Sequence, residues 1–253
     1  MGKVVINFFY RILYWYISKV DKSAEVTFMN YGYSKDNHEI QLEESDVIDR
    51  YSVQLYHHVA NRIDLKGKDL LEVGCGRGGG LSYVNRYLSP KSATGIDLNK
   101  RAISFCRNHY ENIAFFQGNA ESLKFEDNSF DVVINVESSH RYNQIDKFIS
   151  EVYRVLKPGG YFILTDFRFQ NEIEKLNDQL TKSNFNLLRH ELITPNVLEA
   201  LKLSSAKRED IVHRLTPKIA HRYIKDFAGT EGSPTFKKFA TNEFEYLLYI
   251  LTK

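Results

Sequence analysis

Gly74, Gly76 and Gly79 in "LLEVGCGRGGG" (70–80) satisfy G-x-G-x-x-G directly after an apolar run. Without Cβ atoms, such residues let backbone N–H groups and a helix start face a ligand closely. Glu72 stands just ahead of the turn and Arg77 inside it. Asp97 ends the next apolar run, "SATGIDL" (92–98), where its carboxylate can accept hydrogen bonds from both hydroxyls of a ribose. A loop for close approach and an acid for a sugar point together to a nucleoside.

The glycine loop and Asp97 suit NAD and S-adenosylmethionine alike. A third stretch, "GNAESLKF" (118–125), adds Asn119, Ala120 and Glu121 in a short polar loop, where a side-chain amide and a backbone N–H can read an adenine. Two further runs end in groups able to move a proton. "FDVVINVESSH" (130–140) closes on Glu137 and His140, and "GYFILTDF" (160–167) carries Asp166. A neutral imidazole at His140 can accept a hydroxyl proton, with Glu137 orienting it or touching the substrate and Asp166 directed into the same crevice. His57 and His58 lack cysteine or acidic neighbours at metal-ligand spacing, so packing or substrate contact is expected of them and no metal is predicted.

These residues need a scaffold, and the chain after residue 67 supplies a βαβ rhythm. Strands are predicted over 68–73, 92–98, 113–118, 130–136, 160–167 and 184–193, with a final strand over 243–253 that can return parallel or antiparallel. Helices are predicted over 80–88, 100–110 and 145–156, near 171–183, and within 196–226. Pro158, Gly159 and Gly160 are expected to end the third helix and turn the chain. The reading is one α/β fold: a doubly wound, mostly parallel seven-stranded sheet over 67–253, a helical insertion at about 194–240, and an N-terminal helical cap or lid over 1–66.

An apolar content of 43% with 26% charged residues excludes a wholly disordered chain, and a net charge of +2 without basic blocks gives no nucleic-acid footprint. Cys75 and Cys106 lie far apart and suggest buried, reduced thiols in a cytoplasmic protein. The apolar stretch 4–20 contains Arg11 and falls short of the ~20 residues of a spanning helix. It reads as a retained helix with two alternatives: Phe8, Ile12, Trp15 and Tyr16 either cap the core or rest on a membrane surface, making the chain membrane-peripheral.

In motif order and spacing the sequence resembles the class I S-adenosylmethionine-dependent methyltransferases. Within them it is similar to the phthiotriol/phenolphthiotriol dimycocerosate methyltransferases, on "FMNYGY" (28–33), "LEESD" (42–46), "QLYHH" (54–58), the glycine loop, "FDVVINVESSH" and "GTEGS" (229–233). The resemblance implies a seven-stranded sheet with a reversed last strand and S-adenosylmethionine as cofactor. It places Glu72, Gly74, Gly76 and Gly79 at the methionine end, Asp97 at the ribose and Asn119 with Ala120 at the adenine, with Leu98 a further cofactor-binding residue. Asn135 and Val136 would border the methionine through backbone groups, and Tyr33 would close over it. Asn119 departs from the family's usual Asp, removing charge assistance from that contact. The expected activity is O-methylation of a hydrophobic, lipid- or polyketide-like hydroxyl. C-methylation and a repurposed cyclase or scaffold stay open, as does an NAD-dependent reductase on the loop and Asp97 alone.

Overall fold

The computed structural model describes residues 16–17, 19–21, 23–35 and 40–253. Seven strands form one sheet: β1 Asp69–Val73, β2 Ser92–Asp97, β3 Ala114–Gln117, β4 Phe130–Val136, β5 Leu156–Phe169, β6 Asn186–Leu192 and β7 Phe244–Thr252, in the order β3-β2-β1-β4-β5-β7-β6. The pairs from β3 through β5 are parallel, while β7 runs antiparallel to both β5 and β6. The strand order reverses between β1 and β4, and in open α/β sheets ligands bind beyond the strand ends at such a point.

Helices cover both faces because the central strands are apolar on both: Leu70 faces one core and Leu71 the other, as do Val132 and Val133. On the first face lie α1 Glu44–Val47, α2 Arg50–Ala60 and α3 Gly79–Leu88, followed in the chain by α4 Lys100–His109. The second face takes α5 Ile145–Val155 and α6 Gln170–Thr181, whose Phe148, Val152, Leu176 and Leu180 are buried against it. The helices α7 Thr194–Leu215, α8 His221–Phe227 and α9 Pro234–Ala240 connect β6 to β7, and Val197, Leu201 and Phe239 join the first core.

One predicted turn falls elsewhere. α5 ends at Val155, and Leu156 already pairs with Phe130, so Pro158, Gly159 and Gly160 lie inside β5 as a bulge before Tyr161 resumes the ladder opposite Val132. Burying Leu156 completely outweighs stopping the chain at the proline, and Gly159, at φ +75°, lets the bulge bond Lys253 at the end of β7.

Of the apolar stretch 4–20 only Tyr16, Ile17, Lys19 and Val20 are described; Phe8, Ile12 and Trp15, and with them the membrane-surface reading, lie outside the described residues. Ile17 is buried beside Val212 and Ile224, and the Tyr16 hydroxyl donates to the Leu215 carbonyl. Among the described residues no helix is long and apolar enough to cross a membrane.

Candidate active site

At the carboxyl ends of β1 to β4 opens a cavity of about 840 Å³, within the range of small-molecule sites. Gly74 and Gly76 form one wall at φ +80° and +54°, conformations that exact a strain cost from residues with a Cβ. A Cβ on Gly74 would also sit 2.3 Å from the Ser138 hydroxyl. Asp97 lines the middle of the cavity, accepting hydrogen bonds from the Gly76 N–H at 3.0 Å and the Asn99 N–H at 2.8 Å. Burial nevertheless raises its pKa. Leu98, Asn119 and Ala120 line the far end. There the Asn119 side-chain carbonyl accepts from the Glu121 N–H, leaving one lone pair and the amide N–H groups for a ligand.

Four residues assigned to the cofactor lie away from the cavity wall. Gly79 is covered, because the N-terminal segment crosses the start of α3 and the Thr27 carbonyl lies 3.3 Å from the Gly79 nitrogen. Tyr33 is buried and stacks on His58 at 4.1 Å, so residues 27–30 form the roof in its place. Asn135 is fully buried, its amide nitrogen bonded to the Val73 carbonyl and the hydroxyls of Ser138 and Tyr142. It braces the tips of β1 and β4 from within, while its neighbour Val136 does face the cavity. Glu72 lies beneath the loop with no exposed surface. One oxygen accepts from the Tyr56 hydroxyl at 2.7 Å, the other has no partner among the described residues, and burial pushes the carboxyl up to about 7. Tyr56, not Glu72, reaches the wall.

Tyr56, Asn30 and Met29 are lining residues that sequence reasoning did not assign, although "QLYHH" and "FMNYGY" contain them. Their spacing shows no periodicity that could place them over the glycine loop, which begins 18 residues after Tyr56 and more than forty after Asn30. Arg77 anchors the roof: it pairs with Asp21 at 3.1 Å, both side chains fully buried, and its guanidinium lies 3.9 Å from the centre of the Phe105 ring.

Beyond β4, a single turn over Ser139–Arg141 brings His140 against Asp166 of β5. Asp166 bonds the His140 Nδ1 at 2.7 Å and accepts from the His140 N–H and the Ser139 hydroxyl, while Arg168 pairs with it at 3.1 Å. Burial alone would raise the Asp166 carboxyl, but His140 and Arg168 hold it below the usual carboxylate range. For His140, burial outweighs the pull of Asp166 and lowers the pKa to about 4. The ring is therefore neutral, with its proton on Nδ1 toward the ionised Asp166 and a bare lone pair on Nε2. That Nε2 is buried and has no partner among the described residues. His140 and Asp166 do not themselves line the cavity; Ser138 and Arg141 on either side of the imidazole do. Phe167, 4.4 Å away centre to centre, covers the ring.

Of the two roles expected of Glu137, orienting the imidazole falls to Asp166, whereas Glu137 lines the cavity, where it can touch a substrate. At φ +45°, its carboxylate accepts from the Tyr31 N–H and the Tyr246 hydroxyl, both at 2.6 Å and both on the same oxygen. Burial raises it from 4.5 to about 8. Between those two values the folded chain holds a proton that the unfolded chain has released, so this group makes stability fall as pH rises through the window. In Glu137→Gln the carbonyl keeps both bonds and nothing titrates. Thermal unfolding of the variant should show a shallower decline from pH 5 to 8 than the parent, the remainder ending near pH 7 with Glu72. An unchanged slope would show that Glu137 is ionised throughout.

Among the described residues no cluster of His, Cys, Asp or Glu could hold a metal. His57 bonds the Tyr83 hydroxyl, and His58 lies 3.5 Å from Glu191.

A methyltransferase-domain family matches residues 71–164, from β1 to β5. A fatty-acid O-methyltransferase of Mycolicibacterium smegmatis is 40% identical over 247 residues, 96% of this chain and 89% of that protein. The phthiotriol/phenolphthiotriol dimycocerosates methyltransferase of Mycobacterium tuberculosis is 39% identical over 95% of this chain and 91% of its own. Among solved structures, the cyclase SpnF superposes with a TM-score of 0.69 at 22% identity, covering 98% of this chain and 94% of its own. A geranyl diphosphate methyltransferase in complex with S-adenosylmethionine gives 0.66 at 15% identity, over 90% of this chain and 99% of its own. These two speak to the fold alone, whereas the first two share sequence along nearly the whole chain. The choice that the glycine loop and Asp97 left open is thereby made: the chain belongs to the class I S-adenosylmethionine-dependent methyltransferases, and S-adenosylmethionine is its cofactor.

Proposed function

We propose that this methyltransferase transfers a methyl group to a hydroxyl oxygen of a hydrophobic, lipid-like small molecule. The observation that carries the choice of a hydroxyl is the His140–Asp166 pair: a neutral imidazole with a buried, unpartnered Nε2 beside the tip of β4. A carboxylate acceptor arrives ionised and has no use for a base, whereas a hydroxyl must lose a proton as it attacks. The named substrates of the two relatives, a fatty acid and phthiotriol dimycocerosates, support an apolar acceptor. So does a second cavity of about 130 Å³ that shares Phe28, Met29 and Asn30 with the first and is otherwise mostly apolar, with Ile211 and Leu215 in its wall. Its size is near that of an engineered cavity that takes up benzene.

The residues present fit the cofactor. The cradle at Gly74 and Gly76 is one that a Cβ would fill, and the Glu72 oxygen beneath it lacks a partner. In this reading the loop and Val136 hold the methionine end, Asp97 grips the ribose, and Leu98, Asn119 and Ala120 enclose the adenine. S-adenosylmethionine supplies, when bound, a methyl group activated by the positive sulfur. The chain's own work is alignment, exclusion of water and handling of one proton. Asp166 keeps Nδ1 protonated, the acceptor reaches the buried Nε2 by displacing Phe167 from the ring and gives it the hydroxyl proton, and the roof residues shield the exchange.

Incubation with labelled S-adenosylmethionine and paired lipid alcohols and lipid acids, followed by mass spectrometry, tests the proposal. Label on the alcohol oxygen is the expected result. Label confined to the carboxylic acids, or to carbon, would overturn it.

A further inference from the structure

We propose that the outer edge of β6 pairs with the same edge of a second copy of this chain. The two strands would run antiparallel, setting Leu188 against Leu192, Arg189 against Glu191, and His190 against His190 of the other copy.

Among the described residues β6 is the last strand of the sheet, bonded to β7 on one side only. Six of its seven residues are exposed, and Leu187, Leu188 and Leu192 each keep 56% of their surface in contact with water. Edge strands of folded proteins are ordinarily blunted, and three leucines on an open edge invite pairing. The charged residues between them do not forbid a second copy, because they complement themselves. Arg189 and Glu191 lie two apart on one face and already pair with each other. Turning the strand about a two-fold axis through His190 brings each Arg189 opposite the other copy's Glu191. The same operation sets Leu188 opposite Leu192 along the strand, and opposed apolar pairs stabilise a sheet.

Backbone polarity permits this register. The Ile193 N–H donates inward to the Tyr246 carbonyl, so by alternation Arg189 and Glu191 also turn their backbone groups toward β7, while His190 and Leu192 turn theirs outward. His190 would thus form a doubly hydrogen-bonded pair with its own counterpart, at the centre of the interface. The ladder to β7 shifts register between Leu187 and Arg189, which frees Leu188 from it. The strand is held ready: His190 stacks on Tyr249 at 4.5 Å, and Glu191 is fixed by Arg62 at 3.1 Å. An edge of seven residues makes a small contact, so the association should be weak and concentration-dependent.

Sedimentation velocity of the full chain across rising concentration, with hydrogen exchange read at β6, tests the inference. The expected result is a monomer–dimer equilibrium in which the His190 and Leu192 amides gain protection as dimer forms. His190→Pro removes an outward N–H that β7 does not use, a position where an edge strand tolerates proline. It should weaken association at least tenfold, with the loss of the Tyr249 stack lowering the unfolding midpoint of the monomer. Arg189→Glu, which faces Glu with Glu across the axis, should do the same and guards against a folding defect in the first variant. A chain that stays monomeric into the millimolar range would overturn the proposal, as would a dimer that both variants leave intact or one in which the β6 amides gain no protection.

Discussion

His140→Ala lowers turnover by about two to four orders of magnitude, the range that a positioned general base contributes, and leaves the dissociation constant for S-adenosylmethionine unchanged. The split follows from placement, since His140 lies between Ser138 and Arg141 but outside the wall that Asp97 and the glycine loop form. Methyl transfer to a lipid alcohol and calorimetric titration of the cofactor measure the two halves separately. Asp166→Asn should mimic the loss, because a neutral amide no longer favours the proton on Nδ1 and the lone pair on Nε2 is no longer guaranteed. The pH profile is a further check. With His140 lowered to about 4, turnover should hold through pH 6 and fall only on approaching pH 4, whereas an ordinary exposed histidine would begin to fail near 6.5. Turnover equal to the parent on an alcohol would remove His140 as the base, and full activity retained on an acid alone would return the acceptor to the carboxylates.

Asp97→Ala has the second large effect, on binding. Two charge-assisted hydrogen bonds to a ribose, at roughly 1.5–3 kcal/mol each, amount to a loss of at least about a hundredfold in cofactor affinity. The same carboxylate holds the Gly76 N–H and the Asn99 N–H, so its removal also frees the loop that must stand close to the ligand. Asp97→Asn keeps an acceptor for one of those donors and should fall between. Titration with S-adenosylmethionine decides the matter; an alanine variant that binds as tightly as the parent would place the ribose elsewhere.

What the sequence alone determined is local. Strand limits came within a residue or two for most of the sheet, because apolar residues on both faces of β1, β4 and β7 leave no other element that could bury them. The glycine loop, Asp97 and the 118–121 loop were legible for a similar reason: each lies within a few residues of the strand end that positions it, so order along the chain becomes order along the cavity. The tertiary structure decided everything that depends on distant segments meeting. Tyr33 was expected over the cofactor, yet a buried aromatic stack with His58 claims it, and the Arg77–Asp21 pair draws residues 27–30 across in its place. Glu137 was a candidate to orient the imidazole, but strands β4 and β5 run parallel and adjacent, and their register delivers Asp166 to that position instead. Asn135 was expected to border the methionine through its backbone, and only the fold shows that its side chain is spent on bracing β1 and β4 from within. A one-dimensional pattern records which residues can be buried or charged; which of them share a wall is fixed by strand register and by the burial of partners far away in the chain, and neither is written in the spacing.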